Sequence, residues 1–168
     1  TDPEFTPLPF NHPLFIMYSS GTTGKPKCIV HSAGGTLIQL IKEHQLHADI
    51  KPGEKVFFFT TCGWMMWNWL VTALASEATI ILYEGSPFYP SKNHLWDIAE
   101  QEKIHHFGIS PRYISALSKE GVIPKNDFKL NSLRAILSTG SPLLPDHYKF
   151  IRQSIKSGIQ ISSISGGT

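Results

Sequence analysis

The sequence predicts an α/β domain with a mainly parallel sheet, and three observations carry that prediction. Short apolar or β-branched runs alternate with segments of helical period along the chain. Gly or Pro marks most of the switches between them. No internal repeat or low-complexity tract interrupts the series, and 168 residues with 41% hydrophobic content suffice for one sizeable core.

Taken in order, residues 1–13 are proline-rich and without period, which predicts a lead-in segment with no core of its own. Residues 14–18 read as a short buried strand and residues 28–31 as a second, joined by a Gly/Ser/Thr-rich loop. Residues 33–47 carry Leu37, Leu40, Ile41 and His44 at helical spacing, and Pro52-Gly53 closes that segment. A strand over 56–60, a mostly apolar helix over 64–76 and a β-branched strand over 79–83 follow, ending at Gly85-Ser86-Pro87. Helix is predicted over 93–103, strand over 106–109, and a helix opened by Pro111 to about Glu120. The series ends with a strand over 133–139, a helix from Pro145 to about Lys156, and a strand over 159–164 after Gly158. Residues 14–168 are thus expected to be part of one domain. In parallel sheets ligands gather beyond the carboxyl ends of the strands, so the loops of interest follow Tyr18, Thr60, Tyr83, Ile109, Thr139 and Ile164.

Composition removes several function classes. A net charge of +2 without any run of like charges gives no reason to expect nucleic acid as a partner. No apolar run reaches the ~18 residues of a membrane helix, and the first residues lack the basic and apolar stretches of a signal peptide. With two cysteines, Cys28 and Cys62, and no Asn-x-Ser/Thr site, a reducing, cytoplasmic location is expected. Beginning at Thr1 and stopping after a glycine pair, the sequence reads as an internal piece of a longer chain. No metal site is expected, because His44 and His47 lack the His-Glu-x-x-His arrangement, His105-His106 are adjacent, and no Cys-x-x-Cys occurs. Neither a Gly-x-Ser-x-Gly elbow nor a paired-carboxylate site is visible.

The segment Tyr18-Ser19-Ser20-Gly21-Thr22-Thr23-Gly24-Lys25-Pro26-Lys27 is the chemically informative one. Gly21 and Gly24 let successive backbone N–H groups approach an anion, the hydroxyls add directed donors, and Lys25 and Lys27 add charge. That combination suits a polyphosphate. It is not a Walker A loop, whose glycine spacing precedes Lys-Ser/Thr, since Pro26 follows Lys25.

These residues resemble the signature of the adenylate-forming enzymes, the superfamily of acyl-CoA synthetases, luciferases and peptide-synthetase adenylation domains: an aromatic or small residue, then Ser/Thr-Ser-Gly-Ser/Thr-Thr-Gly-x-Pro-Lys-Gly. Residues 18–27 match at every position, and Cys28 stands where glycine is usual. The resemblance implies that the chain is a subdomain of the large N-terminal domain, with Ser19, Ser20, Gly21, Thr22, Thr23, Gly24, Lys25 and Lys27 on the ATP phosphates. Ser138-Thr139-Gly140-Ser141-Pro142-Leu143, a plain turn by its residues alone, is similar to the element that packs on adenine, which implicates Gly140, Ser141 and Pro142. Ser165, Gly166, Gly167 and Thr168 resemble the start of the element whose threonine meets the α-phosphate and whose following acid helps to hold Mg²⁺. Gly63-Trp64-Met65-Met66-Trp67-Asn68-Trp69 reads equally as a core helix, but is similar to the carboxylate-pocket segment of the acetyl- and acetoacetyl-CoA synthetase branch. It implies Trp64, Met65 and Met66 for the pocket and leaves Trp67 and Trp69 for packing.

The resemblance, closest to the acetoacetyl-CoA synthetases, thus implies an acid–CoA ligase. It would use ATP, Mg²⁺ and coenzyme A on a short carboxylate, with a catalytic lysine beyond Thr168 and small molecules as its partners. Two alternatives stand beside it: an inactive relative serving as an interaction or regulatory protein, and a ligase for another acid.

Overall fold

The computed structural model describes residues 4–19 and 24–168. Strand β1 (Pro13–Ser19) pairs antiparallel with β2 (Lys27–Ser32) in a two-stranded hairpin of its own, with Ile16 opposite Val30 and Tyr18 opposite Cys28. Helix α1 (Ala33–Lys42) runs straight into a π-helical turn, Glu43–His47. There follow β3 (Lys55–Phe58), then α2 (Met65–Thr72) with a 3₁₀ extension over Ala73–Ser76, and β4 (Thr79–Ile81). Next come α3 (His94–Gln101), β5 (His106–Gly108), α4 (Pro111–Lys119) and α5 (Pro124–Asp127). The described chain closes with β6 (Ala135–Ser138), α6 (Pro145–Phe150) leading into a π-helical turn over Ile151–Ile155, and β7 (Gln160–Ser163).

The last five strands form one parallel sheet in the order β4-β3-β5-β6-β7. Its strands alternate as a period of two requires. Phe57, Phe107 and Ile136 point to one face, where Leu95, Trp96, Ile114, Leu117, Ile151 and Ile155 cover them. Val56, Phe58, Ala135 and Leu137 point to the other, under Met66, Trp69 and Leu70 of α2. Each side chain so enclosed stabilises the fold by roughly 1.5–3 kcal/mol relative to exposure. Gly108 is set by close approach, since a β-carbon there would lie 2.0 Å from the Phe58 ring. Local signals place the helices: Ser110 Oγ accepts the Tyr113 N–H at 3.2 Å while Pro111 opens the first turn of α4.

Two sequence expectations need correction. The strand over 14–18 is not buried: Leu14, Ile16 and Tyr18 are exposed, and only Phe15 and Met17, on the alternate face, are half-buried. An apolar run cannot by itself distinguish a central strand from a hairpin with one face packed on the body. The helices expected over 33–47 and 145–156 each change to π geometry after ten and six residues, and nothing in their periodicity marked that change.

The amino ends of the strands are tied by charge. Glu54, just before β3, accepts from His106 Nε2 at 2.8 Å and from the Lys51 N–H at 2.9 Å, and pairs with Arg134, which also holds Asp49 at 2.8 Å. Burial alone would raise the Glu54 carboxyl, but its hydrogen bonds to His106, Lys51 and Arg134 prevail and hold it below its ordinary value. His106 is lowered by burial, against the upward pull of Glu54. Lys156 Nζ donates to the carbonyls of Leu130, Asn131 and Leu133 at 2.8, 3.0 and 2.6 Å, fixing the turn that feeds β6.

Candidate functional site

The connection from β3 to β4 runs over one face of the sheet through α2, whereas those through α3, α4 and α6 run over the other. The chain therefore reverses direction between β3 and β5, the arrangement that opens a crevice at the carboxyl ends of parallel strands. A cleft of about 960 Å³ lies there, lined by β1 residues Leu14 to Tyr18, the loop and helix start after β3, and the loops after β6 and β7. The loops after β4 and β5, equally eligible in the sequence, do not line it.

The segment after β3 builds the apolar wall. Phe58 meets the Trp64 ring edge-on with centroids 5.8 Å apart. That ring reaches across to the loop after β6, where a β-carbon on Gly140 would stand 3.6 Å from Trp64 Cζ2. Gly140 has φ +96, a conformation that L side chains resist, so the close turn under the indole depends on glycine. Met65 brings its terminal methyl within 3.8 Å of where a β-carbon of Gly166 would be. Met66 is only 1% exposed and forms the floor, packing in the core behind the cleft. Trp69 is core, and Trp67 is half-buried outside the lining.

The other wall is small and polar. Gly140, Ser141 and Pro142 stand beside Ser165, Gly166, Gly167 and Thr168. Thr139 Oγ1 donates to the Ile164 carbonyl at 2.8 Å, which fastens the two loops to each other. Of the proposed phosphate residues, Ser19 and Lys27 face each other at the loop end of the hairpin, with Gly24 and Lys25 exposed next to them and outside the lining. Ser20, Gly21, Thr22 and Thr23 lie outside the described residues.

Residues that the sequence reading did not single out complete the cleft, notably Phe15 and Met17 of β1 and Asn68 of α2. Asn68 Nδ2 donates to Met17 Sδ at 3.3 Å, linking the helix to the hairpin. Asn68 could have been found from period, because it lies three residues after Met65 and four after Trp64, on one helix face. Among the described residues no three His, Cys, Asp or Glu side chains gather to hold a metal ion. An apolar wall facing a wall of hydroxyls and glycine-rich backbone suits a molecule with a polar or anionic group and a short apolar part.

The whole chain has matches among known proteins. A family model described as "AMP-binding enzyme" matches residues 2–167. Acetoacetyl-coenzyme A synthetase of Rhizobium meliloti is 56% identical over 98% of this chain, and acetoacetyl-CoA synthetase of Xenopus tropicalis 52% over the same share. A malonamoyl-CoA synthetase of Penicillium aethiopicum is 48% identical. The solved acetoacetyl-CoA synthetase from Streptomyces lividans superposes on 100% of the chain with a TM-score of 0.94 at 44% identity, over 26% of its own length. The chain spans about a quarter of the length of the curated relatives it matches. With a family model running from end to end and half of its residues identical to these synthetases, the chain belongs to the AMP-binding enzyme family.

Proposed function

We propose that this chain supplies the acyl side and the nucleotide side of the site of an ATP-dependent acid–CoA ligase acting on acetoacetate. The observation that carries the reading is the single cleft in which the Trp64–Met66 wall meets the loops after β6 and β7, beside the hairpin that bears residues 18–27. The names of the similar synthetases supply the direction, and favour an active ligase over an inactive relative.

In this reading a carboxylate oxygen attacks the α-phosphorus of ATP, pyrophosphate leaves, and the thiol of coenzyme A then displaces AMP from the acyl-adenylate. The protein contributes position and complementary charge. Lys25, Lys27 and the hydroxyls of residues 19–23 hold the β- and γ-phosphates. Gly140, Ser141 and Pro142 pack on the adenine, Thr168 reaches the α-phosphate, and Trp64 and Met65 keep water from the acyl carbon. Magnesium would arrive with ATP, and the hydroxyl oxygen of Thr168, placed at the α-phosphate, is a hard donor that would suit it. When bound, the ion offsets charge on the departing pyrophosphate.

The test is turnover of the full-length protein with ATP, coenzyme A and a panel of acids that includes acetoacetate, malonamate, acetate and butyrate. Acetoacetyl-CoA, AMP and pyrophosphate are expected in equal amounts. Inertness toward acetoacetate with turnover of another acid would sink the substrate assignment. We place the activity in the cytosol, where the exposed thiols Cys28 and Cys62 stay reduced. Its recovery with membranes on fractionation would overturn that placement.

A further inference from the structure

We infer that Asn68 is a specificity-determining residue, whose side-chain amide donates to the 3-oxo oxygen of a short 3-oxo acid in the cleft. The inference rests on the ligase reading above and goes beyond it by naming the group that recognises the second carbonyl.

The argument begins with the wall that Asn68 interrupts. Met65 and Asn68 are one turn apart on α2, and both line the cleft together with Phe15 and Met17 of the hairpin. Three of these four side chains are apolar. A half-buried amide among them is costly unless its N–H groups find acceptors. Among the described residues Asn68 has only a weak one: Nδ2 donates to the thioether of Met17 at 3.3 Å. A ligand carbonyl is a stronger acceptor than a thioether and would displace that contact. Thr139, which also lines the cleft, has its hydroxyl proton committed to the Ile164 carbonyl at 2.8 Å.

The placement also fits the length of such an acid. Met65 reaches toward Gly166, next to the segment proposed for the α-phosphate, which puts the reacting carboxylate at that end. Asn68 follows one turn further along the same helix, about 5 Å away by helix pitch. The 3-oxo oxygen of a four-carbon acid lies about 3–4 Å from its carboxylate carbon, and a hydrogen bond of about 2.9 Å from the amide nitrogen spans the remainder. A neutral amide suits a neutral carbonyl and gives no compensation to a second carboxylate, so 3-oxo acids are favoured over dicarboxylates of equal length.

The experiment compares kcat/KM of the full-length protein for acetoacetate and for butyrate, which has the same carbon count and no 3-oxo oxygen. Wild type, Asn68→Leu and Asn68→Ser are assayed in parallel. Wild type is expected to prefer acetoacetate. Asn68→Leu is expected to reduce the acetoacetate-to-butyrate ratio roughly 10- to 100-fold, and Asn68→Ser, which keeps a donor, to restore part of it. An unchanged ratio, or an equal loss on both acids, overturns the inference, because a merely structural role lowers both together. A wild-type protein that makes no acetoacetyl-CoA defeats the proposed function itself. One that makes it, with a ratio indifferent to position 68, defeats only the role of Asn68.

Discussion

The two ends of the sheet are built from opposite materials. At the amino ends of the strands, Asp49, Glu54, His106 and Arg134 form one chain of ion pairs and hydrogen bonds, and Gln160 at the start of β7 reaches the His47 carbonyl at 3.1 Å. At the carboxyl ends the lining residues are glycine, serine, threonine, the amide of Asn68 and mostly apolar side chains, and none of the described ones takes part in an ion pair. The charged groups at the first end pair with one another, whereas the second end carries no charged side chain among its described lining residues. The division teaches where a substitution should be felt as stability and where as chemistry.

The sharpest way to break that comparison is at Glu54. Replacing it by alanine leaves the buried His106 Nε2 and the Lys51 N–H without their acceptor and Arg134 with Asp49 alone. Removing one member of a buried pair costs about 3–5 kcal/mol, and because Arg134 is partly solvated the lower end, about 3 kcal/mol, is expected for Glu54→Ala. Urea unfolding measures it. The kcat of the full-length enzyme at 25 °C should stay within about twofold, and a large loss of turnover with unchanged stability would erase the distinction between the two ends.

Acid should weaken the same region next. His44 is fully enclosed beneath α2, edge-on to Trp69 with ring centroids 4.3 Å apart and with Nε2 3.1 Å from Thr72 Oγ1. Burial lowers its pKa from 6.5 to about 4, aided by the neighbouring His106. The unfolded chain thus takes a proton near pH 6.5 that the folded chain refuses until about pH 4, so this contribution is full above 6.5 and is lost as pH falls through that window. Moving from pH 7 to pH 5 should cost about 2 kcal/mol, with His106 acting in the same direction. His44→Leu should flatten most of the slope, and a pH-independent urea midpoint in the wild type would contradict the assignment.

How much of this was legible in the sequence follows the same division. The sheet strands were legible because a parallel strand buried on both faces reads as a short continuous apolar run, as in Val56, Phe57 and Phe58, which split between the two faces, and the helices because one-sided burial imposes a period of 3.6. The π turns at Glu43–His47 and Ile151–Ile155 and the short α5 carry no comparable signal. The residues marked around Trp64, Gly140 and Ser165 were recognisable from their order along the chain, and the fold brings all three segments to one cleft. Asn68 was reachable from its helical spacing to Trp64 and Met65, but Met17 was not, because its contact with Asn68 joins residues 51 positions apart and depends on how the hairpin leans on α2. The Glu54 network was invisible for the same reason, its members being dispersed from 49 to 134.

The smallest change in stability is expected at the carboxyl end, and it is the one that isolates chemistry from scaffold. Gly140→Ala adds one methyl group at φ +96, where it meets the Trp64 ring at an ordinary 3.6 Å. The cost is thus backbone strain without overlap, about 1 kcal/mol. The alanine conformation relaxes by turning the loop, which moves Ser141 and Pro142 relative to Thr139 and its bond to Ile164. A displacement of about 1 Å in a positioning loop is enough to lower turnover roughly 100-fold. Gly140→Ala is therefore expected to reverse the Glu54→Ala pattern, with a small shift in the urea midpoint and a large loss of acyl-adenylate formation, read as ATP–pyrophosphate exchange. Full exchange activity in Gly140→Ala would mean that this loop holds nothing that reacts, and that the cleft owes its chemistry to the hairpin and the segment ending at Thr168.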